Sequence, residues 1–161
     1  VDVIKLTSRI LSINLEHVHR VFPYVATCGT ELEEWSKAMD DILESYWVEG
    51  IKEMALAEAS MAFDKHLEEN FRPGKTSSMN PGSLEDWPIT QQTQLFRILD
   101  DPKRYIGVEL TDSYLMVPMK SVSGIRFATQ VDYVNCKVCT RENCPNRRAP
   151  YDPEFAKSYG K

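Results

Sequence analysis

Leu110-Thr111-Asp112-Ser113-Tyr114-Leu115-Met116-Val117-Pro118-Met119-Lys120-Ser121-Val122-Ser123-Gly124-Ile125 is the stretch on which the reading of this chain turns. It opens as a β-type run, is broken at Pro118, and then presents Lys120-Ser121-Val122-Ser123-Gly124. Small hydroxyl residues beside a glycine allow backbone to come close to a ligand. The same pattern also fits an ordinary strand, proline break and turn. Residues 104–110 read as a strand leading into this stretch and residues 125–131 as a strand leaving it.

Working outward, Thr90 can cap a short helix over 91–100, with Leu95, Phe96, Ile98 and Leu99 turned inward, before Asp100-Asp101-Pro102 stops it. Residues 72–90 hold prolines and glycines that argue for an irregular loop. Lys75-Thr76 after Pro73-Gly74 lacks the upstream glycine of a phosphate loop, because Asn70 stands in its place. Earlier, Thr30 has capping-box spacing to Glu33, and Leu32, Trp35, Met39, Ile42, Leu43, Tyr46 and Trp47 recur at helical spacing. That apolar face is expected to pack in the core. Beyond Gly50 the helical pattern resumes to Phe71, as a second helix or as one long helix that tolerates the glycine. Residues 21–28 form a strand whose Pro23 suits an edge or an early position. Residues 1–20 fit either a strand or a short helix, and the polar tail from Arg147 is expected on the surface. Helices first and strands later, without βαβ alternation, give an α+β domain.

A chain of 161 residues suits a single core. Its net charge of −5 argues against a general nucleic-acid binder, which needs a basic face for phosphates. No apolar run approaches a membrane span and no signal peptide is visible, so a cytoplasmic protein is expected.

Three cysteines fall together as Cys136-x2-Cys139-x4-Cys144, and the fourth is Cys28. Such clustering fits a metal site better than a spread disulfide framework. A Cys-x2-Cys turn puts two thiolates on one side, as zinc and iron–sulfur sites require. Cys144 can close on the same ion, and Cys28 is the candidate fourth ligand. The spacing leaves zinc, an iron–sulfur cluster and metal-free thiols open.

The central stretch resembles the activation domain of cobalamin-dependent methionine synthase, whose segment reads in general form L-T-x-S-x-x-M-x-P-x-x-S-V-S-G. The resemblance covers roughly residues 20–132, with Leu56-Ala57-Glu58-Ala59 and Asn80-Pro81-Gly82 as further matches. It implies a helical first half packed on a bent, mostly antiparallel sheet. Residues 1–132 would form that domain, and residues 133–161 a cysteine-bearing extension packed on it. It also implies S-adenosylmethionine as ligand and a cobalamin carried by a partner. Glu58, Pro81, Gly82, Tyr114, Pro118, Ser121, Val122, Ser123 and Gly124 would face the cleft between them.

The family's R-x-x-P-G-Y loop reads here Ser78-Met79-Asn80-Pro81-Gly82-Ser83, so its arginine and tyrosine are both replaced. Loss of a bidentate arginine removes a strong charge-assisted contact to a carboxylate. The Asp-x-His-x-x-Gly motif of corrinoid carriers does not occur, which assigns cobalamin to another protein. The resemblance therefore implies an accessory protein that reactivates oxidised cobalamin on a corrinoid protein or methyltransferase. It would do so by reductive remethylation, or by delivering an electron from a flavodoxin- or ferredoxin-type donor. The alternative is a non-catalytic docking subunit whose tail is fixed by structural zinc. Neither reading involves nucleic acid or a membrane.

Overall fold

Alternation of side chains builds the sheet. The computed structural model describes residues 3–160. Strand β1 (Val21–Thr27) and strand β2 (Thr76–Met79) both pair antiparallel with strand β5 (Ser121–Ala128), giving the order β1-β5-β2. Pro23 thus lies on an edge strand, where its missing N–H costs no ladder bond. Strands β3 (Glu109–Leu110) and β4 (Met116–Val117) form a separate two-stranded ribbon. With its helices and its antiparallel sheet, the fold is α+β.

Each face of the three-stranded sheet has its own cover. Ile125, Phe127 and Met79 point into a core completed by Ile10 and Leu11 of helix α1 (Arg9–Leu15), Trp87, and Leu95 of helix α4 (Gln92–Ile98). Their neighbours in the alternation, Phe22, Tyr24 and Arg126, face helix α3 (Ile42–Phe71). Phe22 packs on Phe71 at 5.3 Å, Tyr24 stacks on Phe63 at 5.0 Å, and Arg126 Nη2 pairs with Asp64 Oδ1 at 2.7 Å. The period of two along β5 therefore separates a dry core from a more polar helix-facing layer.

Several expected elements form differently. The segment 120–124 is not a turn: Ser121 to Gly124 are the first half of β5, the central strand. The break falls at Pro118 as expected, at the cis Val117–Pro118 bond after β4. Residues 104–110 are not one strand. Asp101 accepts from Arg104 N–H, Pro102 opens helix α5 (Pro102–Ile106), and Gly107 at φ 71 closes it before β3 begins. The 72–90 segment is not wholly irregular, because β2 lies inside it. Thr90 caps nothing; a 3-10 turn, Ile89–Gln91, leads into α4, whose Ile98 stays 37% exposed.

The helical run from Thr30 also divides. Helix α2 (Thr30–Ser36) starts at Thr30 with Gly29 in the capping position, so the Thr30–Glu33 capping box does not form. Asp41 Oδ1 then accepts from Leu43 and Glu44 N–H and starts α3 afresh. Helix α3 runs unbroken through Gly50. Its apolar residues do not all reach the core. Leu43, Trp47, Met54 and Met61 recur on the side away from the sheet, each more than half exposed. Helix α3 is apolar on both sides and covered on one.

The tail is not merely superficial. A 3-10 turn, Asn135–Val138, and helix α6 (Pro153–Ser158) bring Val138 and Ala156 into the core with Tyr133 and Tyr159. The cluster thus draws on residues from both sides of position 132. Burial pushes the Tyr133 and Tyr159 hydroxyls up, so both are protonated donors at neutral pH. Tyr133 donates to Asn135 and Tyr159 to Asn14.

Candidate functional site

A cavity of about 770 Å³ opens beside the first half of β5. Three local features shape it. The hairpin 111–115 is tied by Thr111 N–H to Leu115 O at 2.8 Å and by Leu115 N–H to Thr111 Oγ1 at 3.1 Å. It holds Tyr114 at φ 63, a left-handed conformation uncommon for a tyrosine, with Tyr114 on the cavity wall. The turn after β2 forms the floor through Pro81 and Gly82, with Gly82 N–H donating to Trp87 O at 2.7 Å. The third wall is the cysteine-bearing segment of the tail.

Gly124 explains how the turn can lie so close to the strand. A Cβ there would stand 2.4 Å from Met79 O and 2.6 Å from Asn80 Nδ2. In the space left free, Asn80 Nδ2 donates to Ser123 O at 2.8 Å and to Tyr24 Oη at 3.1 Å. One amide side chain thereby joins β1, β5 and the turn.

The expected site residues divide three ways. Pro81, Gly82, Tyr114, Ser121, Val122 and Ser123 come together on this one cavity. Pro118 and Gly124 are buried behind the wall and act through backbone position. Glu58 does not join them: it is exposed and does not line the cavity, whereas Ser60 and Phe63 of the same helix do. Two residues along a helix is a turn of about 200°, so a side chain at 58 points away when 60 points in.

The cysteines divide as well. Cys136, Cys139 and Cys144 all border the cavity. Cys28 does not. It follows β1, is buried, and has the Glu33 and Lys52 charges as its neighbours. Among the described residues no three His, Cys, Asp or Glu side chains are gathered as a metal-binding group. The expected four-cysteine set is therefore not assembled, with Cys28 its clearest departure.

What the cysteine segment does have is a tightly held backbone. The Arg147 guanidinium donates to the carbonyls of Cys136 at 3.1 Å, Ala149 at 3.2 Å and Cys139 at 3.3 Å, and also to that of Arg141. Arg148 N–H points at Cys136 Sγ at 3.4 Å. Burial opposes ionisation of Cys136, but the N–H groups of Arg148 and Ala149 and the two arginine charges outweigh it and lower its pKa. Cys28 is pushed up, first by burial and then by Glu33. Iodoacetamide labelling followed by peptide mass spectrometry is expected to modify Cys136 at a lower pH than an ordinary thiol and Cys28 last. Equal profiles for the two would contradict the field ascribed to Arg147 and Arg148.

Two functional features were not read from the sequence. Asn80 stood inside the quoted Pro-Gly turn, but nothing in its spacing shows that it reaches Ser123. Arg126, a lone cation in an apolar strand, carried a signal: alternation puts it on the helix-facing side. A comparison with protein families matches residues 57–149 to the vitamin B12 dependent methionine synthase activation domain. The matched span is more than half of the chain and runs through the cysteine segment. No curated protein matches the chain.

Proposed function

The chain belongs to the vitamin B12 dependent methionine synthase activation domain family, and from that premise we propose that it reactivates oxidised cobalamin carried by a corrinoid methyltransferase. Membership ties the chain to the reactivation of cobalamin-dependent methyl transfer and to a cobalamin-binding partner. The observation that carries the finer reading is the convergence of Pro81, Gly82, Tyr114 and the Ser121–Ser123 strand start on one cavity.

When docked, the partner's cobalamin would supply a cobalt centre able to take one electron from a flavodoxin- or ferredoxin-type donor and the methyl group of S-adenosylmethionine, with S-adenosylhomocysteine as the leaving product. The chain's own part is positional. Tyr24 and Phe63, stacked on each other, form an aromatic wall, while Asn80 fixes the floor against β5. Tyr114, Leu115 and Met119 shield the side formed by the hairpin and the cis-proline turn. No lining residue is a histidine, aspartate or glutamate, so no general base is assigned.

The test mixes the protein with a purified cobalamin-dependent methyltransferase in its oxidised state, with S-adenosylmethionine and reduced flavodoxin. Co-elution on size-exclusion chromatography and return of the methylated cofactor spectrum are expected. Neither co-elution nor a spectral change at tens of micromolar protein would remove the proposal.

The uncovered side of α3 supports a second reading, that of a docking subunit without its own chemistry. Exposed apolar stripes of this extent mark protein contacts. Trp47→Asp and Met54→Asp are expected to weaken co-elution with the methyltransferase while shifting stability by no more than about 0.5 kcal/mol, as is usual for exposed positions. Unchanged association in both variants would free this surface from any docking role. Cys136, Cys139 and Cys144 border one cavity without being gathered as a ligand group, so a metal there would require them to close in, and it is compatible with either reading. A visible band in anaerobically purified protein that bleaches with dithionite favours electron delivery, and zinc by elemental analysis favours docking.

A further inference from the structure

The charge of the cavity is the reverse of the charge of the chain. The whole sequence carries a net −5. The cavity lining holds three arginines, Arg126, Arg141 and Arg148, and no aspartate, glutamate, lysine or histidine. Even with Asp64, which pairs with Arg126 from just outside the lining, cations exceed acids there by two. Among the described residues neither Arg141 nor Arg148 forms an ion pair, and both are exposed. A concave wall with charge of one sign concentrates counter-ions of the other.

Arg126 has the most determined position of the three. It lies on β5 directly across from Ser78 on β2, and both residues line the cavity. Ser78 is small, so the space over that cross-strand pair is left to the guanidinium. Asp64 engages Nη2 and Thr76 accepts from Nη1 at 3.3 Å, while Nε is buried without a partner. The group is therefore held in place with donor capacity unused. Its carbon lies 6.0 Å from the centre of the Phe63 ring, which stacks in turn on Tyr24.

We propose that the cavity receives a small organic anion, a carboxylate or phosphate, with Arg126 as its anchor and Arg148 as a second contact. Charge-assisted bonds from a planar guanidinium suit either anion. A ligand presenting a sulfonium or ammonium to this wall meets like charge with no carboxylate to offset it. S-adenosylhomocysteine keeps the ammonium but lacks the sulfonium, so it brings one positive charge fewer and is expected to bind at least as tightly as S-adenosylmethionine. The inference rests on the reactivation reading only for the adenosyl body of the probes.

The experiment is isothermal titration of the full chain with adenosine, adenosine 5′-monophosphate and S-adenosylhomocysteine, the last a net-neutral zwitterion counted with the anionic probes for its carboxylate. At least one anionic probe is expected to bind about tenfold or more tighter than neutral adenosine, the scale of one hydrogen bond to a charged group. Preference for the monophosphate alone assigns a phosphate ligand, preference for S-adenosylhomocysteine alone a carboxylate; either result supports the anchor. Arg126→Gln is expected to bring the anionic probes down to the level of adenosine, and Arg148→Gln to move them the same way by less. Glu58→Gln is expected to leave all three unchanged. Thermal melts accompany each variant, and Arg148→Gln, on an exposed loop, keeps the test alive where Arg126→Gln loses its tie to Asp64. No binding by any probe at millimolar concentration, equal binding of all three, or a wild-type preference in both arginine variants overturns the proposal. Co-elution with the methyltransferase is measured on the same preparations. Association without anion preference sinks this inference alone, and anion preference without association sinks only the reactivation reading.

Discussion

Phe127→Ala is expected to destabilise the protein by about 3–5 kcal/mol, the range for truncating a fully buried phenylalanine. Phe127 is 0% exposed on the core side of the central strand. Its ring lies 6.3 Å from that of Tyr133, which in turn packs on Phe155 and Tyr159. The residue therefore connects the sheet to the tail, and the cavity left by alanine would open between them. Domains of this size hold about 5–15 kcal/mol in total, so the variant would lose a large share of its margin. Urea denaturation followed by circular dichroism reads the effect as a lower midpoint at unchanged slope. A loss below about 1 kcal/mol would mean that the tail does not close the core as described.

Gly124→Ala joins stability to the site. The added methyl would meet Met79 O at 2.4 Å, Asn80 Nδ2 at 2.6 Å and the Tyr24 ring at 3.2 Å. The nearest atom is backbone of the paired strand β2 and cannot swing aside as a flexible side chain can. Overpacking of this kind costs about 1–3 kcal/mol. Displacing Asn80 also removes its bond to Ser123 O, and an orphaned buried carbonyl costs about 1–3 kcal/mol more. The same urea series measures the loss, and the titrations with anionic probes should show weaker binding, because Asn80 to Ser83 form the cavity floor. A variant as stable as the parent, with intact binding, would show that the sheet can yield at this point.

The central stretch illustrates how far local sequence reaches. Its small residues and glycine pointed to a close approach of backbone, and that approach exists. The partner at Gly124 is β2 and Asn80 of the same chain rather than a ligand. Periodicity shows which positions are small, but the object that comes near is supplied by a segment more than 40 residues away. The short elements failed for a related reason. Asp101, Pro102 and Gly107 contain the start and stop of α5, yet the β-branched and aromatic residues around them suggested a strand. Local hydrogen bonds at the caps outweighed weak strand propensity.

Helix α3 and the cysteines show the other limit. A period near 3.6 marks Leu43, Trp47 and Met54 as one side of a helix, but does not say whether the chain itself provides a cover for that side. Cys-x2-Cys spacing likewise places two thiols near each other without fixing a third or a fourth. Cys28 was the remaining cysteine, and the fold puts it beside Glu33 and Lys52 instead.

By itself the sequence determined the α+β class, the strand at 21–28, the helix ending at Phe71 and a minority of the residues that line the cavity, Pro81, Gly82, Tyr114 and Ser121 to Ser123 among them. These follow from alternation, helical spacing and a long ungapped resemblance, all local or linear properties. Tertiary structure alone decided the central place of Ser121–Ala128, the uncovered side of α3, the outward turn of Glu58 and the meeting of three arginines on one wall. Each of these depends on which segments pack against which, because burial and electrostatic field are properties of neighbours in space.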